Sequence, residues 1–194
     1  MRINTILGVA FLVALSTAPG AAKTIVLVSG RFDSNAPAAS PDPFGNYDYV
    51  TASWTQTTAF ENVSISIFGS GTFGISSGTA YVTTSFGPGT TVADQIARAT
   101  FEAPVASPST TILLFSGLKL RPGTYYVTIA AGNGQEIQWS ATSHPQVSTA
   151  SGVTVSPGVG CINGSTPAPY PPGTTGSCSD FNLRVLVTGK APAQ

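Results

Sequence analysis

Along most of the chain, apolar and polar residues alternate one for one, in short runs closed by Gly, Pro, Asn or Ser. Successive side chains on a strand leave opposite faces, so this pattern predicts β-strands with one face buried. Thr24–Ser29 is a β-branched opening run. Val50, Ala52 and Trp54 share one face of a strand, with Thr51 and Ser53 opposite. Val63, Ile65 and Ile67 alternate in the same way with Asn62, Ser64 and Ser66. Further strands are predicted at Ala80–Phe86, Ile96–Ala103 and Thr110–Phe115. Leu118–Thr124 reads as a strand end and a tight turn, since Pro122 presets φ and Gly123 tolerates a positive one. Tyr125, Val127 and Ile129 return on one face, Asn133-Gly134 is a hairpin dipeptide, and Ile137 and Trp139 share a face in Glu136–Ser140. Phe181, Leu183, Val185 and Val187 form the closing strand.

About nine or ten short strands joined by short turns predict an all-β fold, a jelly-roll-like antiparallel β-sandwich. The single helix candidate is Thr91–Arg98. Two segments read as irregular: Arg31–Tyr47, rich in Pro, Ala, Ser and Asp, and Ser156–Ser179, with five prolines and five glycines.

The first residues break the alternation. One positive charge at Arg2 precedes the apolar run Ile6–Leu15, and the small or helix-breaking residues Ser16–Ala22 follow. Residues 1–22 therefore predict a cleavable secretory signal peptide, with Gly20 and Ala22 at the positions a signal peptidase reads and the cut before Lys23. The run is about half the ~20 apolar residues a membrane span requires. No cysteine follows the cut, so lipid modification is not expected. Residues 23–194 are then read as one β-sandwich domain, secreted to the periplasm or cell exterior, with no membrane span in the mature chain.

Charge narrows the partners. Only 8% of residues are charged, against ~25% in ordinary soluble domains. Without Arg2 there remain seven basic and eight acidic residues, and neither sign clusters. Nucleic-acid binding needs a basic stripe, so no nucleic-acid partner is expected. The sequence names no partner; extracellular glycans or matrix are the class considered for an exported domain of this kind. Cys161 and Cys178 are the two cysteines. In an oxidising compartment they would pair, closing the loop 161–178.

Candidate chemistry is sparse. A Ser-His-Asp arrangement needs a histidine, and His144 sits in a turn-like Thr-Ser-His-Pro segment without a nucleophile elbow. Glu61, Glu102 and Glu136 lie on or beside strands, and nothing in the sequence selects two of them as a glycosidase pair. No catalytic residue is therefore assigned and no enzyme is expected. Asp33, Asn35, Asp42, Asn46 and Asp48 fall in one irregular segment. Asp33, Asp42 and Asp48 are its candidate ligands for a structural calcium ion, although the spacing matches no defined calcium loop; no other cofactor is implied. For sugar stacking, strand parity turns Trp54 and Trp139 into the core and leaves Tyr126 outward, with Tyr170 in the late loop as the second candidate. Asn62-Val63-Ser64 and Asn163-Gly164-Ser165 fit the N-glycosylation pattern, Asn62 pointing away from the core and Asn163 in the loop.

Three stretches carry a family resemblance: Tyr49–Thr58 with its continuation Phe60–Ile67, the Leu118–Tyr126 turn and strand, and Glu136–Trp139. They resemble secreted bacterial "choice-of-anchor" β-sandwich domains, which occur in proteins that often end in a PEP-CTERM sorting tail. Phe181–Gln194 departs from that pattern, having no Pro-Glu-Pro element, apolar span or terminal basic cluster. The resemblance implies an exported, surface- or matrix-associated protein and supplies no catalytic residues. The expectation is a secreted, non-catalytic β-sandwich; the alternative is a carbohydrate-binding module, and a secreted glycoside-active or other hydrolase comes third.

Overall fold

The computed structural model describes residues 24–32, 41–44, 48–72, 74–87, 89–105, 110–132, 134–142, 145–156, 161–163, 175–176 and 182–192. The strands are β1 (Thr24–Phe32), β2 (Pro41–Phe44), β3 (Asp48–Gln56), β4 (Phe60–Gly71), β5 (Ser76–Thr83), β6 (Gln95–Ala103), β7 (Thr110–Leu120) and β8 (Gly123–Ala131). They continue as β9 (Ile137–Thr142), β10 (Pro145–Thr149), β11 (Val153–Ser156), β12 (Cys161–Asn163), β13 (Thr175–Gly176), β14 (Asn182–Leu183) and β15 (Val185–Lys190). Ten of them, β1, β3 to β10 and β15, run five residues or more, in keeping with the number the alternation predicts.

Two antiparallel sheets form. The first follows the order β10-β1-β15-β4-β9-β14, with β7 on β4 and β2 on β9. The second follows β13-β12-β3-β8-β5-β6, with β11 on β3. The chain changes sheet at β2–β3, β3–β4, β4–β5, β6–β7, β7–β8, β8–β9, β10–β11 and β13–β14, the wrapped path of a jelly roll. Among the described residues, only β5–β6 and β12–β13 are consecutive strands that pair with each other.

The core lies between the sheets and is built by parity. Val50, Ala52 and Trp54 of β3 meet Val127, Ile129 and Tyr125 of β8, Ala80 and Val82 of β5, and Val63, Ile65 and Ile67 of β4. Trp54 and Trp139 are both buried, as their strand faces require. Parity fails where the ladder is irregular. Register shifts between β4 and β7 let the adjacent Leu114 and Phe115 both turn inward. At Gly78, a Cβ would come within 2.6 Å of the Phe101 ring, so the bare glycine leaves the space that ring fills.

Three expectations need correction. Thr91–Arg98 is not a helix. A 3-10 turn spans Val92–Asp94, with Asp94 accepting from the Thr91 amide, and β6 begins at Gln95. The turn buries no residue, so a longer helix would have no apolar face to seat. Asn133-Gly134 does not close a hairpin, because β8 and β9 belong to different sheets; Gly134 still supplies its positive φ. The irregular segments contain strands: β2 in the first, and β12 and β13 in the second. Asn163 thus ends a strand rather than lying in a loop.

The Leu118–Thr124 turn is a corner linking β7 of the first sheet to β8 of the second. The Tyr125 hydroxyl donates to the Arg121 carbonyl at 2.7 Å, the arrangement of a tyrosine corner. Gln56, fully buried, braces the same corner from β3. Its amide nitrogen donates to the carbonyls of Leu120, Arg121 and Thr58, and its oxygen accepts from the Trp54 indole at 3.1 Å.

Candidate functional site

The second sheet carries polar and aromatic side chains on the face turned away from the core. Strand register sets them in rows. Ser53 of β3 stands opposite Tyr126 of β8, which stands opposite Thr83 of β5. In the next row Thr51 is opposite Thr128, Thr128 opposite Tyr81, and Tyr81 opposite Arg98 of β6. Each alternates with an inward residue: Thr51 and Ser53 with Val50, Ala52 and Trp54, Tyr81 with Ala80 and Val82, and Tyr126 and Thr128 with Tyr125, Val127 and Ile129.

Although turned outward, Thr51, Ser53, Thr83, Thr128 and Tyr81 are all buried. Tyr81 lies outside the hydrophobic cluster that holds its neighbours Ala80 and Val82. Hydroxyls withdrawn from water need partners. Thr51 and Thr128 bond each other at 2.8 Å, and Thr55 bonds Thr124 at 2.8 Å. The Thr83 hydroxyl donates to the Ser85 carbonyl at 2.6 Å. Just beyond it, Phe86 stacks on Tyr126, centroids 5.7 Å apart and planes 19° from parallel. Both rings are half-buried. At the sheet edge the Arg98 guanidinium sits 5.6 Å from the centre of the Tyr81 ring.

This face presents aromatic surface over hydroxyls packed beneath it. The rings are the accessible part, a surface on which the C–H face of a sugar can pack, while the buried hydroxyls are satisfied by one another and by the backbone. Strand parity identified Tyr126 as outward, and the structure adds the ring against it. Tyr81 was legible by the same parity, between two small apolar residues on β5. Phe86 was not, because it lies past the end of β5, where strand parity no longer holds.

The other candidate residues are dispersed. Tyr170, Asp33, His144 and Cys178 lie outside the described residues. Asp42 is on β2 across from Trp139, and Asp48 opens β3 across from Asn163, so the two acids belong to different sheets. No group of three or more His, Cys, Asp or Glu residues suited to a metal occurs among the described residues. Cys161 is on β12, paired with Val50 on one side and Gly176 on the other.

The three glutamates occupy separate settings. Glu61, at the start of β4, pairs with Lys119 at 3.1 Å. Glu136 accepts from Thr72, just past the other end of β4, at 3.0 Å. A strand rises about 3.3 Å per residue, so the length of β4 holds these two acids far beyond the ~5–10 Å of a glycosidase pair. Glu102 is exposed on β6. Asn62 is exposed and holds a left-handed backbone, φ 49°. Among the described residues, no helix is long and apolar enough to cross a membrane.

No protein-family model matches this chain, and no curated protein matches it. Among solved structures, it is similar to a family two carbohydrate esterase from Clostridium thermocellum in complex with cellohexaose. That similarity has 16% identity and a TM-score of 0.35, and covers 69% of this chain and 34% of the esterase. The chain thus spans about a third of the esterase's length. It is also similar to Xyl-CBM35 in complex with a glucuronic acid-containing disaccharide, at 13% identity and a TM-score of 0.37, over 76% of this chain and 95% of that one.

Proposed function

We propose that this protein is an exported, non-catalytic β-sandwich that binds carbohydrate on the outer face of its second sheet. The observation that carries the reading is the half-buried, stacked Phe86–Tyr126 pair on that face. Exposed aromatic surface packs on the C–H face of a neutral sugar without requiring charge. On this reading the groups on the face bind and orient a ligand. A secretory signal at residues 1–22, a charge-poor surface and the paired cysteines expected at 161 and 178 agree with work outside the cytoplasm.

The test is retention on immobilised neutral polysaccharides, followed by calorimetric titration with oligosaccharides from whichever is retained. Tyr126→Ala is expected to weaken binding by about tenfold or more while leaving the unfolding midpoint near that of the unaltered protein. Binding that survives both Tyr126→Ala and Phe86→Ala, or retention on no polysaccharide, would sink the proposal.

A further inference from the structure

Among the described residues, β6 is an edge strand of the second sheet. It pairs with β5 on one side, and no described strand lies on the other. A free edge of this length is a template for another strand. Such edges are commonly blunted by charge of one sign, which repels a second copy. Here the two exposed charges on β6 are opposite in sign, Arg98 and Glu102.

The spacing of those charges selects a partner. The ladder with β5 is regular from Ala97 to Ala103 and shifts register before Ala97. The centre of that regular span is Thr100. Two copies of β6 pairing antiparallel about Thr100 would set Arg98 of each opposite Glu102 of the other, on the same sheet face. Centring the pair on Arg98 or on Glu102 would instead place like charges directly opposite, which is destabilising. The charges therefore favour one register, and that register is two-fold symmetric.

A second observation concerns the strand ends. Among the described residues, the exposed large apolar ones are Val26, Ile75, Val92, Ile96, Val105 and Leu113. Four of these six flank β6: Val92 and Ile96 at its start, Val105 just beyond its end, and Ile75 beside that end, next to the Ser76–Ala103 pair. An antiparallel dyad brings the start of one strand to the end of the other. Under this dyad Ile96 of each copy stands opposite Pro104 of its partner and beside Val105, drawing two exposed apolar side chains per copy toward the seam.

We infer that the protein forms a symmetric dimer by antiparallel β6–β6 pairing centred on Thr100, joining the second sheets of two copies into one continuous sheet. The interface is isologous, as a closed two-fold assembly requires.

Sedimentation velocity from about 1 to about 100 µM tests this on the unaltered chain, Arg98→Glu, Glu102→Arg and the combined exchange. The unaltered protein is expected to dimerise with concentration. Each single exchange should raise the dissociation constant about tenfold or more, because two attractive pairs per dimer become two repulsive ones. The combined exchange restores both pairs and should return the constant to within about threefold of the original. Both positions are exposed, and tryptophan fluorescence checks that each variant is folded. A monomer throughout the range, single exchanges that dimerise like the unaltered chain, or a combined exchange no tighter than the singles would each overturn the inference.

Discussion

Gln56 joins the two sheets through hydrogen bonds, and replacing it with methionine of similar size removes those bonds with little change in volume. The Trp54 indole N–H, which donates to Gln56 at 3.1 Å, loses its acceptor inside the core. An orphaned buried donor costs about 1–3 kcal/mol. The Leu120 carbonyl loses a buried bond of 3.2 Å, worth about 1 kcal/mol. The Arg121 carbonyl keeps the Tyr125 hydroxyl at 2.7 Å, and Thr58 is exposed, so its carbonyl has water to turn to. Gln56→Met is therefore expected to cost about 2–4 kcal/mol. For a domain of this size that lowers the melting temperature by roughly 5–15 °C.

Urea unfolding followed by tryptophan fluorescence reads the loss directly, since Trp54 and Trp139 are both buried. The midpoint should fall while the slope stays unchanged. A double-mutant cycle with Trp54→Phe, which removes the indole donor, should show a coupling of about 1 kcal/mol or more. A Gln56→Met variant within about 0.5 kcal/mol of the original, or a coupling near zero, would refute the reasoning.

Burial raises the Tyr125 phenol above its ordinary range, opposed in part by its Arg121 hydrogen bond and charge. Its contribution to stability is thus fully present below the unfolded tyrosine value near 10 and is lost as pH rises through the higher folded value. Tyr125→Phe should cost only about 0.5–1 kcal/mol at pH 8, because Gln56 still donates to the Arg121 carbonyl. Urea midpoints of the two proteins should converge above about pH 10, and a gap that widens there would contradict the assignment. Intact-mass analysis of the exported chain should find Lys23 at its start and two hydrogens fewer than the sum of its residues, for a bond between Cys161 and Cys178. Reducing that bond should lower stability by roughly 3 kcal/mol, and free thiols in the exported protein would argue against it.

Much of the architecture was legible because strand periodicity is local. Val50 to Trp54, Val63 to Ile67 and Tyr125 to Ile129 are inward by the simple rule that neighbours on a strand face opposite ways, and all of them are buried. β10 and β11, Pro145–Thr149 and Val153–Ser156, were not predicted, and neither were three strands in which that rule has little to act on. β2 is Pro41-Asp42-Pro43-Phe44, a proline-bearing strand beside β9. β12 and β13 are three and two residues long. Leu114 and Phe115 break parity because the β4–β7 ladder shifts, and a shift depends on the partner strand.

The amino-acid sequence by itself determined the all-β class, which faces of the main strands are apolar, the inward course of both tryptophans and the outward one of Tyr126. These are properties of single strands, carried by residues next to one another in the chain. Only the tertiary structure decided which strands are neighbours. Tight turns at Arg121-Pro122-Gly123 and Asn133-Gly134 look alike whether they return to the same sheet or cross to the other, and here both cross. The Phe86–Tyr126 pair, the hydroxyl rows on the same face, the four-bond grip of Gln56 and the open edge at β6 all follow from that choice. Each joins residues distant in the chain, and their meeting depends on how the two sheets pack.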